Sequence, residues 1–170
     1  MMALTQKTLR GILAKVLSVD EKLIIPKQGN WWNPQENVNK PATWCAYVIR
    51  SNVPRTVPFY TSGNDGKTNC AVTEKIATID LQFVGTQSEE LAQSVALWPL
   101  RSDVQDAFAE VRGAVMNDSM EAVSSNFYQD GNNTVLAWNV TFRVLWYHVI
   151  DTAQGKMEAV LMDGKINKGL

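Results

Sequence analysis

Three side chains belong to the residue types that most often carry nucleophilic or metal chemistry: His148, the only histidine, and the cysteines Cys45 and Cys70. An imidazole can activate a thiol from a distant place in the sequence, so a small hydrolase using His148 with Cys45 or Cys70 stays open on composition alone. One histidine and two cysteines fall short of a dedicated zinc site. The sequence holds no Gly-x-Ser-x-Gly elbow, Cys-x-x-Cys pair, His-Glu-x-x-His helix or phosphate-binding glycine loop. His148 itself lies near the end of the stretch "WNVTFRVLWYHVID", where parity puts it on the tryptophan side of a strand. It reads as a packed or rim residue. No catalytic residue, cofactor or metal follows from these motifs.

The elements around it are legible from periodicity. Leu9, Ile12, Leu13, Val16 and Leu17 form one apolar stripe, predicting a helix over residues 5–18 with Thr5 as its cap. "KLIIPK" is a short apolar run. Residues 28–41, rich in Asn, Pro and Gly and carrying Trp31 and Trp32, predict a long loop. "ATWCAYVIRSNVPRTVPFY" is extended and broken by Pro54 and Pro58, which favours an edge or a bend. "TSGNDGKTN" is a turn containing Asn64, Asp65 and Lys67. In "KIATIDLQFVG", Ala77, Ile79, Leu81 and Phe83 alternate with Thr78, Asp80 and Gln82, a half-buried strand. Two helices are expected next. Thr86 with Glu89 and Ser102 with Gln105 stand at capping-box spacing, and Pro99 separates the helices. "SDVQDAFAEVRGAV" reads as the second of them. C-terminal strands are expected over residues 134–165, with Leu136, Trp138, Val140, Phe142, Val144 and Trp146 on one face.

Strand blocks on either side of a helical block predict an α+β fold. The expectation is a single domain over residues 1–170: a mainly antiparallel twisted sheet with helices packed on one face. Leu136, Trp138, Val140, Phe142 and Val144 should share a core there with Ile79, Leu81 and Phe83.

The length of 170 residues suits one domain. No apolar run approaches the ~20 residues of a membrane span, and the N-terminal stretch has no signal-peptide h-region. The chain therefore reads as made in a cytoplasm with buried free thiols, and the sequons at Asn133 and Asn139 as uninformative. The net charge of −1 hides an asymmetry: residues 1–60 carry eight basic and three acidic side chains, residues 74–130 ten acidic and three basic. Such opposed surfaces suit self-association or a directional partner, although a solvated helical face gives the same pattern. A pI near 5.8 argues against tight nucleic-acid binding. Trp31 and Trp32 suit packing over a sheet edge or another subunit better than stacking on bases.

The ordered series resembles one family, the neck or tail terminator (tail-completion) proteins of long-tailed bacteriophages. The resemblance runs from about Lys22 to Val160, through "LIIPKQGNWWNPQ", "KPATWCAYVIRSNVPRT", "KIATIDLQFVG", "SEELAQSVALWPLRSDVQDAF", "WNVTFRVLWYHVIDT" and "MEAV". Gln82 and Gly85 of "LQFVG", followed by an Ala/Leu-rich helix, are its most specific part, while "WW" and the longer "TSGNDGKTN" turn depart from it. The resemblance implies a homo-oligomeric ring, commonly a hexamer, in the neck of the virion and assembled in the host cytoplasm. That ring would cap the last ring of tail-tube protein, stop tube polymerisation, meet the head connector and let DNA pass without specific binding. A head-completion or connector adaptor is the alternative. No enzyme activity, cofactor or membrane partner is implied. Trp31, Trp32, Asn64, Asp65 and Lys67 are the candidate assembly contacts. Glu89, Glu90, Asp103 and Asp106 are the candidate lumen-facing acids.

Overall fold

The structure, a computed structural model, describes residues 3–27, 43–62, 68–118, 120–129 and 133–153. The expected loop at 28–41, the turn residues 63–67 and everything after residue 153 lie outside the described residues.

The first helix, α1, spans Gln6–Leu17. Thr8 N–H donates to the Thr5 hydroxyl and Thr5 N–H to the Thr8 hydroxyl, a reciprocal cap that satisfies two orphan donors. Ser18, at φ 55°, ends the helix in the left-handed conformation. A 3₁₀ turn follows over Glu21–Leu23, capped by the Asp20 carboxylate. Arg10 holds this turn to α1 by donating Nε and Nη2 to the Glu21 carbonyl at 3.0 and 2.7 Å.

The strands are β1 (Ile24–Pro26), β2 (Thr43–Pro54), β3 (Phe59–Ser62), β4 (Thr68–Gly85), β5 (Gly113–Val115), β6 (Ala122–Ser124), β7 (Phe127–Gln129), β8 (Asn133–Val135) and β9 (Ala137–Ala153). Between β4 and β5 lie α2 (Ser88–Ser94), a 3₁₀ turn (Val95–Leu100) and α3 (Ser102–Ala109). Seven strands form one sheet in the order β1-β2-β4-β9-β5, with β3 also on β4 and β6 also on β9; β7 and β8 pair separately. β1 on β2 is parallel, whereas β3 on β4, β5 and β6 on β9, and β7 on β8 are antiparallel. The fold is α+β: one mainly antiparallel sheet whose strand blocks are separated by the block of α2 and α3.

Contacts divide the chain into two compact units, Met1–Val53 with Ile76–Trp146, and Pro54–Lys75 with Tyr147–Leu170. In the larger unit, Ala77, Ile79, Leu81 and Phe83 of β4 and Val140, Phe142, Val144 and Trp146 of β9 point into one core. Leu9, Ile12, Leu13 and Val16 of α1 close it from the helix side, with Val95, Trp98, Val104 and Phe108. Phe142 is the hub: Trp98 and Phe108 meet its ring edge-on at centroid distances of 5.2 and 6.0 Å. A smaller cluster of Trp44, Ala46, Val84 and Ala137 is the second core group of this unit.

In the smaller unit, β3 lies on β4 in the register Phe59 opposite Val72 to Ser62 opposite Asn69. Glu74 organises it. Its carboxylate accepts from the Tyr147 hydroxyl at 3.2 Å and pairs with Arg55 at 3.5 Å, and its carbonyl accepts from Arg55 N–H at 2.8 Å. Pro54 and Pro58 flank the bend between β2 and β3, as a missing N–H dictates.

Four expectations need correction. Leu136 is 45% exposed, because it occupies the break between β8 and β9. Its carbonyl instead accepts from the N–H of Gly85, whose φ of 117° suits glycine. Trp138 packs against the core only partly buried. The residue before α2 is Gln87 and that before α3 is Arg101, and neither helix has a side-chain cap, so Thr86 and Ser102 do not serve. Gln105 has another task. Its amide donates to the carbonyls of Pro99 and Val115 and accepts from Val115 N–H, tying α3 to β5. Finally, α3 stops at Ala109 and "GAV" is strand β5. Arg112 turns the chain at φ 52°, and Gly113 fits beside β9 where an added Cβ would come 3.0 Å from Val144 Cγ1.

Phe142→Ala should therefore cost about 3–5 kcal/mol, and Trp138→Ala distinctly less despite its larger side chain. Urea unfolding of both variants checks the order, and a costlier Trp138→Ala would contradict this packing.

Candidate assembly surfaces

The alternation that buries one side of β4 and β9 gives the other side a polar character. Asp80, on β4, accepts from Arg50 Nε of β2 at 2.7 Å and from the Thr141 hydroxyl of β9 at 2.8 Å. Gln82 donates to Ser125 at 3.4 Å, and Arg143 Nε donates to Asp118 at 2.7 Å. Lys27, Arg50, Asp80, Gln82, Asn139 and Thr141 line a cleft of about 100 Å³ over Ala46, Leu81 and Val140. The Arg50 side chain is 65% exposed, so its ion pair adds little stability, on the order of 0–1 kcal/mol. These cations, amides and hydroxyls are groups that form directional hydrogen bonds. Among the described residues, no cluster of His, Cys, Asp and Glu could hold a metal ion, and no helix is long and apolar enough to cross a membrane.

The groups that raised the enzyme question are placed differently. Cys45 is buried on the core side of β2, and burial pushes its thiol far above the usual range, away from the thiolate. Cys70 is buried on β4 in the smaller unit. His148 is partly buried on β9 in that unit. Desolvation lowers its pKa first, and the nearby Lys75 charge lowers it further.

All four candidate lumen acids are exposed: Glu89 and Glu90 in the first turn of α2, Asp103 in the first turn of α3, and Asp106 one turn on. Glu89 accepts from the Gln93 amide at 3.1 Å. Arg101 forks onto Asp103 and holds its carboxyl below the usual carboxylate range. Glu110 pairs with Lys15 of α1. The candidate contacts Trp31, Trp32, Asn64, Asp65 and Lys67 lie outside the described residues. Sequence reasoning missed the exposed apolar side chains: Leu97 and Leu100 in the 3₁₀ turn, Val123 on β6, and Val57, Phe59 and Tyr60 in the smaller unit. Their exposure departs from what apolar periodicity suggests.

A histidine whose folded pKa lies below its unfolded value near 6.5 contributes stability above that pH and loses it as pH falls. His148→Gln should leave stability at neutral pH within about 0.5 kcal/mol of wild type and flatten part of the acid-side loss. Thermal unfolding from pH 7.5 to 5 reads both effects, and a steeper acid loss in the variant would contradict this assignment.

Comparison with known proteins now bears on these surfaces. No curated protein sequence matches the chain. A family model described as phage neck terminator protein matches residues 4–169, nearly the whole chain and described parts of both units. The family is one of structural proteins of the phage neck. The chain thus belongs to the phage neck terminator family.

Proposed function

We propose that copies of this chain assemble into a ring, most simply a hexamer, on the head-proximal end of the phage tail. The ring ends polymerisation of the tail-tube protein, presents its far side to the head connector and leaves a channel for DNA. The family match over residues 4–169 carries this reading. The polar face around Asp80 and the exposed apolar side chains support it, since both offer groups that a neighbouring protein can match. Virion neck and tail are the corresponding location, with assembly in the host cytoplasm.

The carboxylates of α3 suit a channel wall. DNA carries about one negative charge per 1.7 Å of axis, and a wall of the same sign lets it slide without being held. Asp106 is the freer of the α3 pair, since Arg101 offsets Asp103.

The direct test assembles tail tubes with and without the purified chain. Tubes should stop at a uniform length and join heads only when it is present. Unchanged tube length with binding to the portal side instead would establish the connector-adaptor alternative. Virions in which Asp103 and Asp106 are both replaced by lysine should cap normally and eject DNA more slowly, the slowing shrinking at 1 M salt, where charges are screened beyond ~3 Å. Ejection at the wild-type rate would place α3 away from the channel.

A further inference from the structure

Within the larger unit, opposite edges of one sheet carry opposite charge. At the β1 edge, the 3₁₀ turn of Glu21–Leu23 adjoins β1, and α1 rests on β1 on one side and on α3 on the other. Residues 3–27 hold five basic and two acidic side chains. Arg10 and Lys15 are engaged within the unit, by the Glu21 carbonyl and Glu110, which leaves exposed Lys7, Lys22 and Lys27 as the outward cations. At the opposite edge α2 rests on β6. Residues 86–94 and 120–126 contain three acidic and no basic side chains: Glu89, Glu90 and Glu121, all exposed. Val123, 53% exposed, adds an apolar contact on β6 itself. Among the described residues, no further strand pairs with β1 beyond β2, or with β6 beyond β9.

We infer that these two edges are the contact between copies of this chain: the lysine edge of one seats on the carboxylate edge of the next. The inference deepens the ring reading and rests on it. Charge complementarity fixes the occupant as a second copy, because each copy carries both halves of the match. Opposite signs at opposite edges make the contact head-to-tail, the arrangement that gives a ring when the rotation between copies closes, whereas a face-to-face pair would set like charges together. Glu89 and Glu90 then belong to the seam between copies and not to the channel.

The test reverses each edge separately, Glu89→Lys, Glu90→Lys and Glu121→Lys in one variant and Lys7→Glu, Lys22→Glu and Lys27→Glu in the other. All six side chains are exposed, and thermal unfolding should match wild type. Native mass spectrometry reads copy number for the free chain and for chain recovered on tail tubes. Each variant alone should associate about a hundredfold more weakly than wild type, since like charges then meet at the seam. An equal mixture should recover rings of even copy number in which the variants alternate. Wild-type rings from either variant alone would overturn the inference, and so would a mixture no better than its parts or a wild-type chain that stays monomeric in both settings. Undiminished association with slowed DNA ejection in the Glu→Lys variant would move those carboxylates to the channel. The terminator role fails separately: if wild-type rings form through these edges but tubes keep growing, the seam stands and the role does not.

Discussion

The period-two alternation of β4 and β9 is the constraint on which the larger unit depends. Each strand commits every second side chain to a single apolar layer, and Phe142 sits where that layer meets Trp98 and Phe108. A one-residue slip of β9 would turn Phe142, Val144 and Trp146 to the polar side and bring Thr141 and Arg143 into the core. Apolar burial at roughly 25 cal/mol per Å² makes such a slip prohibitive. The helices follow from the same layer, since the stripe of α1 and the buried residues of α3 pack into it.

Because one side is spent on burial, the other is free for polar pairing. Asp80 with Arg50 and Thr141 fastens three adjacent strands across that side. Individually these exposed bonds contribute little to stability. Their geometry, however, fixes where donors and acceptors stand, and fixed donors are what a neighbouring protein can match. Sheet ends work similarly. Basic groups gather beside β1 and carboxylates beside β6, so a chain of net charge −1 still carries opposite signs at opposite edges of its sheet. An assembly protein gains from this division, with stability supplied by the core and direction by the periphery.

Much of this was written in local sequence. The reciprocal Thr5–Thr8 cap, the stripe of α1, the alternation of Ile79, Leu81 and Phe83 and that of Val140, Phe142 and Val144 all concern residues within a few positions of each other. Period and capping are local physics, and the structure keeps them. The α+β class, the antiparallel character of most pairs and the helices on one face follow from the order of those elements. Family membership was also legible, in the ordered series around "LQFVG" and the long tryptophan strand.

Only the tertiary structure decided the rest. Thr86 and Ser102 stand at the spacing of caps, yet Gln105 satisfies the groups around α3 through carbonyls of Pro99 and Val115, brought near by folding. "GAV" continues a helical run until the backbone turns at Arg112 and Gly113 slips in beside β9, where a side chain would crowd Val144. Leu136 keeps the parity of its neighbours, but the strand break exposes it. Arg50, Asp80 and Thr141 are far apart in sequence and carry no motif. The same holds for the basic and acidic edges: composition shows the charges, while strand order alone sets them on opposite sides. Local sequence fixes which face a residue takes on its own element; which elements become neighbours depends on the burial that many distant residues achieve together.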